Sequence, residues 1–147
     1  MKLIDSKVEV IEQLPGLEGV YKQIELAGRT CYKSEDKITE DSAKEFVDRM
    51  IKSKHGAMLE HGTIYLKFEV VKKITHPLDK YYHDKHSKVR TEDGLTKDTK
   101  IVYVTTNLRV LVENNWMDDL KYICELTEHH EKRITTRFTC DRGVSHK

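Results

Sequence analysis

The sequence has no apolar run of the roughly 18 residues that a membrane-spanning helix requires. Its first ten residues, MKLIDSKVEV, lack the apolar core of a signal peptide. It has only three cysteines, Cys31, Cys124 and Cys140, and none of them belongs to a C-x-x-C motif. Because an odd number of cysteines without such a framework is typical of reduced thiols, we expect a cytoplasmic protein without a membrane segment.

An excess of one sign of charge is also missing. The 147 residues include 26 lysines and arginines and 25 aspartates and glutamates, for a net charge of +1. This balance gives no reason to expect a nucleic-acid or membrane partner. Hydrophobic residues make up 37% and charged residues 35% of the chain, which predicts a single domain with a modest core and a strongly ionic surface.

Hydrophobic periodicity predicts a strand and two helices in the first third of the chain. Residues 3–14 alternate around Val8 and Val10, as a strand does. Two helices follow, and Thr39 is the expected N-cap of the second. Their apolar faces are formed by Leu17, Val20, Tyr21 and Ile24 in the first helix and by Ala43, Phe46, Val47, Met50 and Ile51 in the second.

Residues 63–71 and 134–140 alternate apolar and polar side chains and predict two further strands. We expect these strands to be neighbours in one antiparallel sheet, because their patterns match. A slip of one residue would turn Lys67 and Glu69 inward, so the pattern also fixes the register. The fold class is therefore predicted as α+β, an antiparallel sheet packed with helices. Its core side would carry Ile64, Leu66, Phe68, Phe138 and Cys140, against the second helix.

The stretch between these strands is harder to interpret. Residues 72–100 are densely charged and have no sustained apolar period, so they predict a functional loop or a disordered insertion and the most mobile part of the chain. A short strand is predicted at 101–105. A helix follows it, with Thr106 or Asn107 as its cap, and a second short helix is predicted at 120–126.

The segment 55–61 concentrates polar side chains, with a histidine at each end and a glutamate before the second. A helical metal pair needs two ligands about one turn apart on the same face. His55 and His61 are six positions apart, and the H-x-x-E-H zinc motif would need histidine where Ala57 stands. We therefore predict no metal site here. On the residues alone, a polar turn between helix and strand is the simpler interpretation.

Three other groups of polar residues have two interpretations each. Arg137, Arg142 and His146 suit an anion site, since arginine forks bind phosphate, or a charged strand end. The pair Tyr81-Tyr82 suits stacking on a base or pterin, or a partly buried loop anchor. The histidines of the His129-His130-Glu131 run have no ligand spacing to a cysteine, and a solvated loop is the better interpretation.

Three segments together resemble the N-terminal half of a flavin-dependent thymidylate synthase. They are A-G-R-T-C-Y at 27–32, H-G-A-M-L-E-H at 55–61 and the final R-G-V-S-H-K at 142–147. In that family a helix ends in A-x-R-x-[SC]-[FY], and H-x-x-x-x-E-H precedes a strand. A second strand leads through R-x-x-x-x-Q-x-x-R-H-R into a serine-bearing nucleotide loop. The chain given ends at Lys147, where the pattern has glutamine, so the R-H-R motif is absent from it.

The resemblance implies an α+β domain that works as a homotetramer with FAD between subunits. Such enzymes make dTMP from dUMP, with methylenetetrahydrofolate as carbon donor and NADPH as reductant of the flavin. Carried over, the flavin-facing residues would be Cys31, His55, Ala57 and Glu60, and the substrate-facing residues Arg142 and Lys147. Ala57 lacks the hydroxyl that the family commonly has there. Because the family's chemistry uses no enzyme nucleophile, Cys31 is not expected to be catalytic and no catalytic residue is assigned.

Two functions remain open from the sequence. Residues 1–147 would form a single, incomplete thymidylate synthase-like domain with a charged insertion at about 72–100, which binds FAD weakly alone and does not turn over dUMP. Alternatively, the chain is a non-catalytic module derived from the family, with an assembly or regulatory role. The arginine of the first motif, Arg29, has a plain structural interpretation as well, namely contact with the last carbonyls of its helix.

Overall fold

The computed structural model describes residues 5–72 and 79–140, and its central element is a three-stranded antiparallel sheet. The strands are β1 (Lys7–Ile11), β2 (Thr63–Val71), β3 (Lys88–Asp93), β4 (Thr99–Asn107) and β5 (Thr135–Thr139). The helices are α1 (Gly16–Cys31), α2 (Ser42–Lys52), α3 (Gly56–Leu59), α4 (Lys80–His83) and α5 (Leu108–Glu113), with 3-10 turns at Glu35–Lys37 and Met117–Tyr122. Helices packed with antiparallel sheets confirm the predicted α+β class.

The order of the central sheet is β2-β4-β3. Strand β2 has the predicted boundaries and pairs with β4 along its whole length, from Thr63 opposite Asn107 to Val71 opposite Thr99. Alternate side chains of β2 are buried, as expected from the pattern; they are Ile64, Leu66, Phe68 and Val70. Val102 and Val104 of the neighbouring strand β4 belong to the same core.

The predicted pairing of residues 63–71 with residues 134–140 is wrong. Strand β5 pairs instead with β1, from Lys7 opposite Thr139 to Ile11 opposite Thr135, in a separate two-stranded sheet. Phe138 is 65% exposed and Cys140 is also exposed, so neither lies on the core side. Alternation shows only that a segment suits a strand and does not identify its partner. The partner of β2 is β4, which pairs with all nine of its residues.

Helices α1 and α2 pack against each other and share the core with β2. Val20 and Ile24 of α1 and Phe46 and Val47 of α2 are buried, which confirms the two predicted apolar faces. Gly28 allows the close approach, because a Cβ atom at this position would lie 2.4 Å from Cζ of Phe46. Thr39 is not the N-cap of α2. Asp41 occupies that position, and the Thr39 N–H donates to Ser42 Oγ at 2.9 Å.

The prediction of a segment without regular structure at residues 72–100 is wrong where α4, β3 and the start of β4 lie, while residues 84–87 and 94–98 are loops. Residues 73–78 lie outside the described part. Helix α4 buries Tyr81, whose hydroxyl donates to Asp119 Oδ2 at 2.7 Å. Strand β3 completes the sheet at its edge, where charged side chains face solvent and discourage pairing with other chains. The charge that hid this strand from sequence analysis is therefore a property of its edge position.

The remaining elements follow β4. That strand extends two residues beyond each end of the predicted 101–105. Helix α5 is capped by Asn107, whose side chain accepts from the Val110 N–H at 3.0 Å, as one of the two predicted caps. The helix predicted at 120–126 is wrong, because the 3-10 turn ends at Tyr122 and Ile123 then bridges to Leu66 of β2. In the described residues, no helix is long and apolar enough to cross a membrane.

Candidate functional site

The turn between α2 and β2 carries most of the predicted cofactor residues. Its backbone is fixed by hydrogen bonds from the His55 N–H to the Met50 carbonyl at 2.9 Å and from the His61 N–H to the Met58 carbonyl at 3.2 Å. Leu59 is buried and anchors the turn, while the side chains of His55 and its predicted companions stay exposed. We call residues 55–61 the histidine turn.

The fold brings the two predicted motif segments into contact. Tyr32, the last residue of the first segment, places its hydroxyl 2.9 Å from Nδ1 of His55. The two rings meet edge to face, with centroids 6.0 Å apart. If the Tyr32 hydroxyl donates to Nδ1, the proton of the neutral imidazole lies on Nε2, and this N–H group is available to an acceptor outside the protein.

Glu60 is held by a residue that sequence analysis missed. Arg109 of α5 donates through Nη1 to Glu60 Oε1 and through Nε to Glu113 Oε1, the latter at 2.7 Å. The hydrogen bond to Glu113, with that to Glu60, raises the pKa of Arg109 above its ordinary value. The four-residue spacing of Arg109 and Glu113 is the one signal in the sequence for their ion pair, and the sequence analysis did not use it. Nothing in the sequence connected either residue to Glu60.

Arg29 has a different partner from the one its position suggested. It forms an ion pair with Glu25 on the same helix, with Nη2 3.1 Å from Oε1, rather than binding the last carbonyls. The other oxygen of Glu25 accepts from Ser42 Oγ at 2.9 Å. The guanidinium also lies over the ring of Phe46, with Cζ 4.9 Å from its centroid. Arg29 therefore joins α1 to α2.

Within the described residues, the other predicted site residues are not brought to the contact between Tyr32 and His55. Cys31, Ala57 and His61 are exposed, and within the described residues the side chains of Cys31 and His61 make no hydrogen bond. Arg137 lies 3.4 Å from Glu9 across the β1–β5 pair, which supports the charged strand end over the anion site. The remaining predicted residues, Arg142, His146 and Lys147, lie outside the described part of the chain.

His130 is buried, contrary to the solvated loop predicted for it. Its Nε2 lies 3.1 Å from the Leu66 carbonyl and its Nδ1 lies 3.2 Å from the Thr127 N–H, which defines a neutral ring with the proton on Nε2. Burial lowers the pKa of His130 and raises the pKa of Cys124, whose sulfur is 3.8 Å away. This pair is therefore not a thiolate–imidazolium couple of the kind used in nucleophilic catalysis.

A cavity of about 330 Å³ lies apart from the predicted cofactor residues, none of which lines it. It is bounded by the β1–α1 connection, the start of β2 and the segments on either side of His130. Its walls include Val10, Leu14, Tyr65, Cys124, Leu126 and Ile134. Across the described residues, no group of histidine, cysteine, aspartate or glutamate side chains has an arrangement that could hold a metal ion.

The family is shown by a sequence comparison. The family model described as thymidylate synthase complementing protein matches residues 10–83, just over half of the chain and a span that includes both motif segments. The chain therefore belongs to the thymidylate synthase complementing protein family. No match is found among curated proteins or solved structures.

Proposed function

We propose that this chain takes part in the FAD-dependent synthesis of dTMP from dUMP, with methylenetetrahydrofolate and NADPH as cosubstrates. The observation that carries the proposal is the contact between the two motif segments, where the Tyr32 hydroxyl lies 2.9 Å from His55 within the family match. Tyr32 and His55, which are 23 positions apart in sequence, thus form one exposed surface at the start of the histidine turn.

The side chains at this surface fit a flavin nucleotide in kind. Tyr32 is 51% exposed and offers an aromatic face, and the imidazole of His55 offers an N–H donor to a carbonyl or phosphate oxygen. Glu60 and Arg109 add a carboxylate and a guanidinium that hold each other in place. Ala57 contributes only backbone groups, so a hydrogen bond from this position would come from its N–H.

The flavin, when bound, would supply the redox chemistry of the reaction. The residues of this chain would bind and orient it. His55 would donate through Nε2 if the Tyr32 hydroxyl donates to Nδ1, and Cys31 would lie at the rim of the site. Contacts from Arg142 and Lys147 to dUMP, assembly as a homotetramer and a cytoplasmic location belong to the same proposal.

The proposal is tested by titrating FAD into two proteins, the 147-residue chain and a version extended through an R-H-R segment of this family. We expect weak binding to the first, and flavin-loaded protein with dUMP-dependent oxidation of the reduced flavin in the second. His55→Ala in the extended version should raise the Kd for FAD about tenfold, as expected for a lost hydrogen bond of ~1.4 kcal/mol. The matched control is His83→Ala, which removes another exposed histidine.

Each outcome has a defined meaning. Tight flavin binding and turnover by the 147-residue chain would overturn the weak-binding expectation and leave the flavin function standing. Absence of flavin binding from both proteins would refute the flavin function and favour the non-catalytic assembly or regulatory module. Equal effects of His55→Ala and His83→Ala would show that the histidine turn is not the flavin site.

A further inference from the structure

Helix α5 reaches the histidine turn through one side chain, although the two are far apart in sequence. Arg109 bonds to Glu60 across 49 positions. We infer that Arg109 is a positioning residue, which holds the Glu60 carboxylate and the histidine turn in the geometry that the flavin site requires. This inference rests on the proposed function, and it adds to it a residue that lies outside the matched family span.

The orientation of Arg109 is set from two directions. Its Nε donates to Glu113 Oε1 at 2.7 Å within α5, and its Nη1 donates to Glu60 Oε1. A guanidinium is planar, so two acceptors on different N–H groups fix both its position and its plane. Glu113 therefore fixes the orientation of the Arg109 side chain, and Arg109 in turn limits the rotamers of Glu60.

Helix α5, which carries Arg109, is itself held in place by its cap and by the core. Asn107 caps α5 at the end of β4, and Leu108 and Leu111 are buried in the core. The Leu108 N–H donates to the carbonyl of Gly62, the residue that follows the histidine turn, at 3.0 Å. The turn is thus joined to α5 at its exit by the backbone and at Glu60 by the Arg109 side chain.

Gly56 provides a second, independent observation at the entrance of the turn. A Cβ atom at this position would lie 2.9 Å from Glu113 Oε1 and 3.0 Å from Arg109 Nε. The ion pair therefore packs directly on the backbone next to His55. Because a side chain at position 56 would displace the pair, Gly56 allows α5 to approach the turn closely enough for Arg109 to reach Glu60.

Removal of Arg109 has an electrostatic consequence as well. Glu60 and Glu113 are two carboxylates that share one guanidinium. Without it, both negative charges would remain beside the site, and Glu60 would be free to change rotamer. An anionic cofactor would then meet a more negative and less ordered surface. A lysine at this position would keep the charge but could not make the same fork.

The inference is tested by a double-mutant cycle with Arg109→Gln, Glu60→Gln and the double variant, in whichever version of the protein binds FAD. Because the pair is exposed, we expect Arg109→Gln to raise the Kd for FAD about fivefold. If Arg109 acts through Glu60, the double variant should be no worse than the weaker-binding single variant. Arg109→Lys should recover only part of the loss.

Amide hydrogen exchange of residues 57–62 gives a readout that needs no flavin. Arg109→Gln should speed this exchange about fivefold, and Lys44→Gln, which removes an exposed ion pair with Asp48 on α2, should leave it unchanged. Unchanged exchange in Arg109→Gln, or additive effects in the cycle, would overturn the positioning role. Absence of FAD binding from the unsubstituted protein would refute the proposed function instead, and the exchange result would still decide the role of Arg109.

Discussion

Removal of the ion pair between Arg29 and Glu25 tests most directly how α1 and α2 are held together. The side chains are 11% and 1% exposed. Arg29→Met would therefore leave a buried carboxylate whose remaining partner, among the described residues, is the Ser42 hydroxyl. Breaking a buried pair from one side costs about 3–5 kcal/mol. Loss of the contact between the guanidinium and the Phe46 ring adds to this cost. Since a small domain is stable by only about 5–15 kcal/mol, the variant should be close to unfolding.

The assay is urea unfolding, followed by the fluorescence of Trp116, the one tryptophan of the chain. The matched control is Lys22→Met on the same helix, where Lys22 and Glu18 form an ion pair with the same spacing but side chains 38% and 78% exposed. That variant should have a free energy of unfolding close to that of the unsubstituted protein. A free energy of unfolding for Arg29→Met equal to that of Lys22→Met would refute the buried ion pair.

Further predictions concern the segments in which sequence analysis expected loops. Tyr81→Phe should lower the free energy of unfolding by about 2 kcal/mol, because it removes a buried hydrogen bond to the Asp119 carboxylate. Tyr82→Phe, at a 51% exposed position, should leave this free energy almost unchanged, and equal effects would contradict the burial of Tyr81. Burial lowers the pKa of His130, so its stabilising contribution is complete above the unfolded pKa of about 6.5 and is lost as the pH falls below it. Unfolding of His130→Gln should therefore depend less on pH between about 7 and 5, and an unchanged slope would show that His130 is not buried as a neutral ring. Amides of β3 that pair with β4 should exchange slowly, and fast exchange would restore the predicted mobile insertion.

The local elements were predictable because each has a period of its own. The alternation of β2 defined its boundaries, and the stripe from Ala43 to Ile51 defined α2 within about one turn. Partner choice was not predictable in this way. The pattern of β5 suited a core strand, yet its Phe138 is 65% exposed because the strand pairs with β1, away from the central sheet. Period describes one strand, whereas pairing depends on the path of the whole chain.

In the candidate site, too, individual residues were predictable from the sequence, whereas the contacts between distant segments were not. His55 and Glu60 were identified in their segment, but the contact between Tyr32 and His55 is produced by the packing of α1 against α2 and α3. Arg109 could not be found, because its link to Glu60 depends on the direction in which α5 leaves β4. The burial of Tyr81 agrees with the loop anchor that was one of its two interpretations. His130 was missed, since a single buried side chain in a polar segment leaves no periodic signal.

The central claim is that the flavin binds at the histidine turn. The most direct measurement is a titration of the chain with FAD, followed by the NMR signals of its histidine rings, which detect weak binding residue by residue. The His55 signal is assigned by its loss in His55→Ala. We expect it to shift with FAD, while the signal of His130, which contacts Tyr65 and Cys124 of the cavity wall, stays in place. Shifts at His130 without any at His55 would contradict the account and place the flavin at the cavity.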